Sequence, residues 1–265
     1  MPARHALGGW ATLTEARTSL RLDRMGIRSD LSAQLRALGV APGDLLMVHA
    51  SMRAVGTRAE DLIAALQACV SPSGALMMLL CGPEGAPFEG DASPAWHELG
   101  ILPEVFRRTP GVVLNQHPIA RFGAWGAPAA RLVENPPQDD YYGPGSPLAR
   151  LWEGGGKVLR LGADLDTVTL LHWAEYLADL PQKRRVTHIA ECARAGAVER
   201  IEVTCLDDSE GVRDWSGDDY FAEILRLFLA SGAARVGPVG GATAELLVAQ
   251  DLVRFGVAWL ESELA

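Results

Sequence analysis

Short apolar runs alternate with amphipathic stretches along the first third of the chain. Apolar positions at helical spacing over residues 31–40 and 59–70 predict two helices, and the uniformly apolar runs at 45–51 and 75–80 predict two buried strands. Buried strands that alternate with helices are typical of layered folds in which both faces of the sheet are covered. The pattern therefore predicts an α/β protein.

The middle of the chain is interrupted by two polar stretches, 81–98 and 136–147, which are rich in glycine, proline and acidic residues. Loops of this length in a compact domain usually carry function or are disordered. Between them, residues 111–118 predict a strand, 121–126 its hairpin partner and 128–135 a helix. We therefore expect two long loops that lie over a layered sheet.

The last third is more regular. A strand is predicted at 157–162, and the alternation over 198–208 predicts an antiparallel strand. Two long amphipathic stretches, 218–232 and 242–264, predict helices on either side of a small strand at 235–240. These elements extend the α/β pattern to the end of the chain.

Length and composition are those of one large globular unit. The chain has 265 residues, of which 48% are hydrophobic, and this is near the upper size for a single core. We expect one domain over residues 31–265, preceded by a polar N-terminal arm or surface helix at 1–30.

Charge and cysteine usage narrow the class of protein. No run of about 18 apolar residues occurs, the first thirty residues lack the apolar middle of a signal peptide, and the four cysteines form no CxxC pair. We therefore expect a cytoplasmic protein with no membrane partner. The net charge of -9 argues against nucleic acid and suits either a cationic ligand or simple solubility. A monomer and a homodimer are both compatible with the sequence.

The segment "TVTLLHWAE" (167–175) holds the most suggestive chemistry. Glu175 follows His172 by three positions, which on a helix places the two side chains on the same face. A carboxylate beside a partly buried imidazole raises its basicity and fixes its tautomer, as a general base requires. Asp166 or Thr167 could cap the helix. A buried polar pair with a purely structural role is the alternative.

Histidine also offers a metal hypothesis. His49, His117 and His172 stand at the ends of predicted strands or at the start of a helix, the edge where ligands of α/β sheets collect. No HxH or HExxH spacing supports a metal site, so we expect none. For any one of these histidines alone, a structural role is as plausible as a functional one.

The thiols offer a rival mechanism. Cys81, at the end of a predicted strand, could combine with a histidine and an acid into a nucleophilic set. Cys69 and Cys192 fall in stretches interpreted as helical and are expected to be small core residues.

No phosphate-binding motif of the GxGxxG or GxxxxGK[ST] type occurs. The segment "VHASMRAVG" (48–56) is instead a passage from strand to loop to helix with small residues, Ser51 and Arg53. Its backbone N–H groups could contact an extended ligand, and Arg53 could contact a phosphate.

Together the segments resemble the aminoglycoside 3-N-acetyltransferase family. The resemblance is carried, in order, by "VHASMRAVG", "GILPEVFRRTPGVVLNQHPIARFGAWG", "GPGSPLARLWEGGGKVLRLGADLDTVTLLHWAEY" and "RVGPVGGATAELLVAQDLVRFGVAWL". It implies a three-layer α/β/α sandwich with a mixed central sheet. It also implies transfer of acetyl from acetyl-CoA to the 3-amino group of the aminocyclitol ring of a cationic aminoglycoside, without a metal, and hence antibiotic resistance.

The resemblance also implies roles for individual residues. His172 is the expected general base and Glu175 its acidic partner. The residues expected to contact the cofactor are His49, Ser51, Met52, Arg53, Ala54, Val55 and Ser146. Those expected to contact the substrate are Glu84, Tyr142 and Asp208.

Three places depart from the family pattern. Ala50 and Arg121 stand where relatives carry serine, and Cys205 and Leu206 stand where many relatives place acids. The last change removes negative charge from the expected amine pocket. Acetyl transfer to a different amine, such as an amino sugar or a biosynthetic intermediate, is therefore an alternative. A protein that binds cationic ligands without catalysis is a third.

Overall fold

The strands predicted around Leu45 and Ala75 are neighbours in the middle of a mixed sheet. A computed structural model describes residues 26–265. Its strands are β1 (Leu45–Ala50), β2 (Ala75–Leu79), β3 (Val113–Leu114), β4 (Phe122–Gly126), β5 (Lys157–Leu161), β6 (Arg185–Arg194), β7 (Ala197–Leu206), β8 (Arg235–Val239) and β9 (Ala242–Val248). Within that range, seven strands form one sheet in the order β3-β4-β2-β1-β5-β9-β8, and β6 pairs with β7 in a separate hairpin.

Helices cover both faces of the sheet. They are α1 (26–38), α2 (Met52–Val55), α3 (Ala59–Val70), α4 (Ile101–Arg107), α5 (Ala129–Leu132), α6 (Pro147–Glu153), α7 (Leu171–Leu177), α8 (Tyr220–Ala230) and α9 (Ala249–Glu263). One apolar core lies between the sheet and α1, α3 and α4. The other lies between the sheet and α5 to α9. The predicted three-layer α/β/α architecture is confirmed.

The parallel part of the sheet determines where a site can form. Strand β1 pairs in parallel with β2 and β5, whereas the outer pairings are antiparallel. The carboxyl ends of β2, β1 and β5 therefore share one edge of the sheet. The segments that follow them, 80–98, 51–58 and 162–170, meet there, as ligand-binding loops do in open α/β sheets.

The predicted helix over 242–264 is wrong in its first part. Residues Ala242–Val248 form β9, which lies between β5 and β8, and the helix begins at Ala249. A strand buried on both faces has an apolar run that periodicity cannot distinguish from a buried helix. Leu246 packs in one core and Leu247 in the other, as expected for a strand inside the sheet.

The hairpin was predicted only in half. The strand expected at 198–208 is confirmed as β7, but its partner β6 was missed, and Cys192 lies on that strand and not on a helix. Most of β6 is solvent-exposed on one face, so few apolar residues mark it. The strand predicted at 111–118 is reduced to Val113–Leu114, and β4 is its antiparallel partner as predicted.

The predicted N-terminal arm falls mostly outside the described residues. Residues 1–25 are not described, and 26–30 belong to α1. Between residues 26 and 265, no helix is both long and apolar enough to cross a bilayer.

Candidate active site

His172 lies in the first turn of α7, after the loop that follows β5. Leu170 is the N-cap of this helix and offers no side-chain cap. The expected capping by Asp166 or Thr167 is wrong, because both residues belong to a 3-10 turn, Leu165–Thr167, that ends before the helix begins. The Thr167 hydroxyl donates to the Asp164 carbonyl at 2.7 Å.

The predicted contact between His172 and Glu175 is present. The imidazole Nδ1 lies 2.8 Å from Glu175 Oε2. Glu175 is buried, and its Oε1 accepts a hydrogen bond from the Tyr220 hydroxyl, which in turn accepts from the Val212 N–H at 3.0 Å. A carboxylate fixed in this way holds the neutral imidazole with its proton on Nδ1, which leaves Nε2 as the proton acceptor.

Two aromatic rings hold the imidazole in place. The Tyr142 ring stacks on it with centroids 4.8 Å apart and planes 6° from parallel, and the Phe221 ring meets it edge-on, also at 4.8 Å. Only 16% of the His172 side chain is exposed. The ring therefore has little rotational freedom but still reaches solvent.

Carboxylates decide the basicity of His172. Burial alone lowers its pKa, but the hydrogen bond and charge of Glu175, together with the charges of Asp208 and Asp219, outweigh burial and raise the pKa above its ordinary value. A raised pKa makes the neutral ring a stronger base.

Two cavities have His172 in their walls, and a cleft adjoins the larger of them. A large cavity of about 920 Å³ and an acidic cavity of about 290 Å³ both include His172 and Asp208 in their walls. A cleft of about 660 Å³ lies at the end of β1, and it shares Leu79, Leu99 and Thr169 with the large cavity. His172 thus stands where one ligand in the cavities could meet another in the cleft.

The residues expected to contact substrate all line the large cavity. Glu84 accepts a hydrogen bond from the Trp96 indole at 3.0 Å. Asp208 accepts one from the Tyr141 hydroxyl at 2.6 Å. Tyr142 is only 6% exposed and packs against His172. Its position suits the orientation of the imidazole better than the binding of a charged acceptor.

The acidic cavity compensates for the acids missing at Cys205 and Leu206. Both of these side chains are buried, and Cys205 Sγ lies 3.3 Å from the Tyr141 hydroxyl. Negative charge is supplied by other acids in the wall of this cavity: Asp166, Glu175, Asp207, Asp208, Glu210, Asp218 and Asp219. The pocket therefore remains anionic.

Sequence analysis missed His188. Its Nε2 lies 2.9 Å from Asp208 Oδ1, and its side chain lines the large cavity. The sequence of β6 carries no clear signal, because apolar Ile189 lies on its exposed face and polar His188 on the opposite one. The pairing of β6 with β7 places His188 on the same face of the hairpin as Cys205.

The cleft matches the predicted cofactor segment in part. Four of the residues predicted to contact the cofactor line it: His49, Ser51, Met52 and Arg53. Ser51 is the N-cap of α2, and its Oγ accepts from the Ala54 N–H at 3.4 Å. Ala54 and Val55 are not in the wall of the cleft, and Val55 is buried in the core.

His49 is the most unusual group in the cleft. Burial and the neighbouring Arg160 lower its pKa to about 4, so the ring is neutral at physiological pH. Its Nε2 is buried and has no hydrogen-bond partner within residues 26–265. Arg160 in turn pairs with Glu245 at 2.7 Å.

Ser146 lies away from the cleft. Its side chain is completely buried, accepts from the Ala149 N–H and donates to the Tyr142 carbonyl, both at 3.1 Å. It is the N-cap of α6. Because this buried hydroxyl already makes both hydrogen bonds within the protein, it is not positioned to contact a cofactor.

The thiol mechanism has little physical support. Burial and the charge of Asp208 raise the pKa of Cys81 to about 12, so the nucleophilic thiolate is scarce at neutral pH. Among the described residues, one group could hold a metal, formed by His188, Cys205 and Asp208 with ligand atoms within 4.8 Å of one another. The Tyr141 hydroxyl already bridges Cys205 and Asp208.

The three histidines of the metal hypothesis do not form one site. His117 uses both ring nitrogens locally: Nδ1 accepts from the Ile119 and Ala120 N–H groups, and Nε2 lies 3.0 Å from the Gln138 carbonyl. His49 faces the cleft and His172 faces the cavities. His117 is therefore structural.

Comparison with known proteins gives a consistent result. The family model described as aminoglycoside 3-N-acetyltransferase matches residues 47–261. The chain is 40% identical over 273 aligned positions to aminoglycoside N(3)-acetyltransferase VII of Streptomyces paromomycinus, an alignment that covers 92% of this chain and 94% of that protein.

Solved structures agree. AAC-IIIb in a binary complex with CoASH superposes with a TM-score of 0.85 at 38% identity, covering 90% of this chain and 97% of that one. Sisomicin-bound AAC-VIa superposes with a TM-score of 0.84 at 36% identity, covering 90% and 98%. The chain belongs to the aminoglycoside 3-N-acetyltransferase family.

Proposed function

We propose that this protein transfers the acetyl group of acetyl-CoA to the 3-amino group of an aminoglycoside, with His172 as general base, and so confers resistance. The observation that carries the proposal is the position of His172, whose Nδ1 is held by Glu175 and whose ring lines two anionic cavities, the larger of which adjoins the cleft. Residues 31–265 would form the single catalytic domain.

Acetyl-CoA would occupy the cleft. CoASH in the AAC-IIIb complex supports this cofactor. Arg53, which is exposed at the rim, offers a charge to a phosphate, and neutral His49 offers a polar contact inside the cleft. Thr169, Leu79 and Leu99 mark the passage through which the thioester would reach the large cavity.

The aminoglycoside would occupy the cavities. Sisomicin in the AAC-VIa structure supports a polycationic acceptor. Each exposed ion pair contributes only about 0.2–1 kcal/mol, so binding requires several acids together. Glu84 and Asp208 supply charge in the large cavity, and the acidic cavity supplies more. This charge favours a polycation over a simple amine.

The chemical step follows from the ring geometry. An alkylammonium with a pKa near about 10 must lose a proton before it can attack. His172 Nε2 would take a proton from the attacking amine as the C–N bond forms. The C–S bond then breaks, and the CoA thiolate takes the proton from the imidazolium. An ammonium substrate therefore releases one further proton to solvent in each turnover.

The negative charge that develops on the thioester oxygen needs hydrogen-bond donors. The Ser51 N–H is already donated to the Leu161 carbonyl at 3.0 Å. The donors that we assign to the oxyanion are therefore the N–H groups of Met52 and Arg53, at the start of α2.

Thiol release from acetyl-CoA tests the function. We expect release with gentamicin-like and neomycin-like acceptors. His172→Ala should lower kcat by about 10²–10⁴, the usual contribution of a general base, and should leave CoA binding intact. Release only with simple amino sugars would favour the alternative acceptor, and tight aminoglycoside binding without release would favour a binding protein. A variant with near-normal kcat would contradict the role of His172.

A further inference from the structure

The loop over residues 81–98, here called the roof loop, forms one side of the large cavity. Its contribution to the wall includes Glu84, Phe88 and Trp96. The backbone N–H of Trp96 donates to the Leu80 carbonyl at 2.8 Å, and the backbone N–H of Phe88 donates to the Glu191 carbonyl on β6 at 2.7 Å. The roof loop therefore spans the cavity from the sheet to the hairpin.

Arg121 ties this loop to the sheet from below. The residue precedes β4, and its side chain is completely buried. Its Nη1 donates to the Gly90 carbonyl at 2.9 Å, and its Nη2 donates to the carbonyls of Ser93 and Pro94 at 2.9 and 2.7 Å. Three carbonyls of one loop thus converge on a single guanidinium.

The charge of Arg121 makes this arrangement demanding. Burial lowers the pKa of Arg121 to about 10, which leaves the guanidinium charged at neutral pH. Within residues 26–265 its side chain donates to backbone carbonyls and to no carboxylate. Its carbon Cζ lies 5.5 Å from the centre of the Phe88 ring, within range of a cation–π interaction.

A buried cation is destabilised by each hydrogen bond that it fails to make. Both terminal nitrogens of Arg121 have partners in the roof loop, whereas its buried Nε has none within residues 26–265. The buried guanidinium of Arg121 keeps its hydrogen bonds only while the roof loop holds this conformation. The backbone of Arg121 also contacts the start of this loop. Its carbonyl accepts hydrogen bonds from the N–H groups of Leu80 and Cys81 at 2.8 and 3.1 Å.

We propose that Arg121 is a positioning residue that holds the roof loop over the large cavity, so that the acceptor-binding wall is formed before the acceptor arrives. This inference rests on the proposed function, which assigns the large cavity to the aminoglycoside. Arg121 itself is buried beneath the loop and acts through Glu84, Phe88 and Trp96.

A preformed wall has a quantitative consequence. When the binding-competent conformation is populated for only a fraction of the time, the apparent dissociation constant equals the intrinsic one divided by that fraction. If loss of the Arg121 donors leaves the loop formed for about one tenth of the time, acceptor affinity falls about tenfold. The rate at saturating acceptor changes little, because the bound enzyme has the loop in place.

The test is Arg121→Met, which keeps an unbranched side chain and removes every donor. Amide hydrogen exchange of Ser93 and Trp96, measured without ligand, should rise at least about tenfold, because the open fraction grows from below about one tenth to about nine tenths. The KM of the aminoglycoside should rise about tenfold, the factor by which the formed fraction falls, with kcat and the KM of acetyl-CoA within about twofold. Arg226→Met is the matched control, since Arg226 is an exposed arginine on α8 paired with Glu223, and should change none of these values.

Two results would overturn the inference. Unchanged exchange in Arg121→Met would mean that Arg121 does not order the loop. Faster exchange with an unchanged aminoglycoside KM would mean that the loop is not part of the acceptor site. Should wild-type protein release no thiol with any aminoglycoside, the proposed function fails, while the exchange measurement still decides whether Arg121 holds the loop.

A measurement on the wild-type protein covers the case in which Arg121→Met does not fold. The amides of Ser93 and Trp96 should be protected at least about tenfold without ligand, because a preformed loop is closed for most of the time. Exchange of these amides at the rate of an unstructured chain in the absence of ligand would mean that the loop forms only on binding, which contradicts a preformed wall.

Discussion

The cleft and the large cavity are built in different ways. The cleft takes an unbroken run of its wall, residues 48–53, from the end of a central parallel strand, and His49, Ser51 and Arg53 are the polar members of that run. The large cavity takes its wall from the roof loop, the hairpin, the start of α7 and the segment after β7. A cleft that binds the same acetyl donor in every enzyme of this kind needs a constant local geometry. An acceptor site that is assembled from separate segments can instead change its specificity through one segment at a time. The comparison predicts that variants on the two sides affect different kinetic constants.

Glu175→Gln should give the largest effect, because Glu175 acts on the histidine that serves both sides. Glutamine keeps the size of the side chain but removes the charge that raises the pKa of His172. We expect kcat to fall by about 10²-fold, the lower range for general base catalysis. The Glu175 side chain is only 1% exposed, so folding should be checked by thermal unfolding.

The pH profile of kcat in Glu175→Gln shows in which direction the pKa of His172 changes. A base works when it is deprotonated, so kcat rises with pH as His172 loses its proton. Because Glu175 raises that pKa, its removal should move the acid limb to lower pH. Glu223→Gln, on the exposed face of α8, should leave the profile unchanged. A limb that stays in place or moves to higher pH would contradict the pairing.

Asp208→Asn should weaken acceptor binding and leave the binding of acetyl-CoA unchanged. Asparagine can still accept from the Tyr141 hydroxyl but no longer carries charge. We expect the KM of the aminoglycoside to rise about tenfold, equivalent to about 1.4 kcal/mol, with the KM of acetyl-CoA within about twofold. Asp214→Asn is the control, because that carboxylate is 99% exposed. An equal rise in both KM values would break the distinction between cleft and cavity.

Local regularities explain what the sequence could predict. The parallel strands β1 and β2 are short, mainly apolar runs, and His172 and Glu175 are three apart on one helix, so the α/β pattern and the contact between these two side chains follow from spacing. The three-layer sandwich was implied by the family resemblance and is also confirmed.

Contacts between distant segments explain what it could not. Strand β9 reads like the helix that follows it, and only its place between β5 and β8 makes it a strand. His188 reaches Asp208 through the pairing of β6 with β7, and Tyr220 reaches Glu175 from another helix. The role of Arg121 depends on carbonyls about 30 positions earlier, and no local pattern marks it.

Ser146→Ala should give the smallest effect. It tests whether a residue that does not line the cleft affects the binding of acetyl-CoA. The resemblance implied a cofactor contact, but this buried hydroxyl caps α6 and donates to the Tyr142 carbonyl. Loss of an N-cap costs about 1 kcal/mol, which for a chain of this size lowers Tm by about 2–4 °C. The KM of acetyl-CoA should stay within about twofold, and Ser262→Ala, at an exposed serine near the end of α9, should change neither value. A fivefold rise in that KM with an unchanged Tm would return Ser146 to the cofactor side, because a residue that only caps a helix changes stability and leaves the affinity for a ligand it does not touch unaltered.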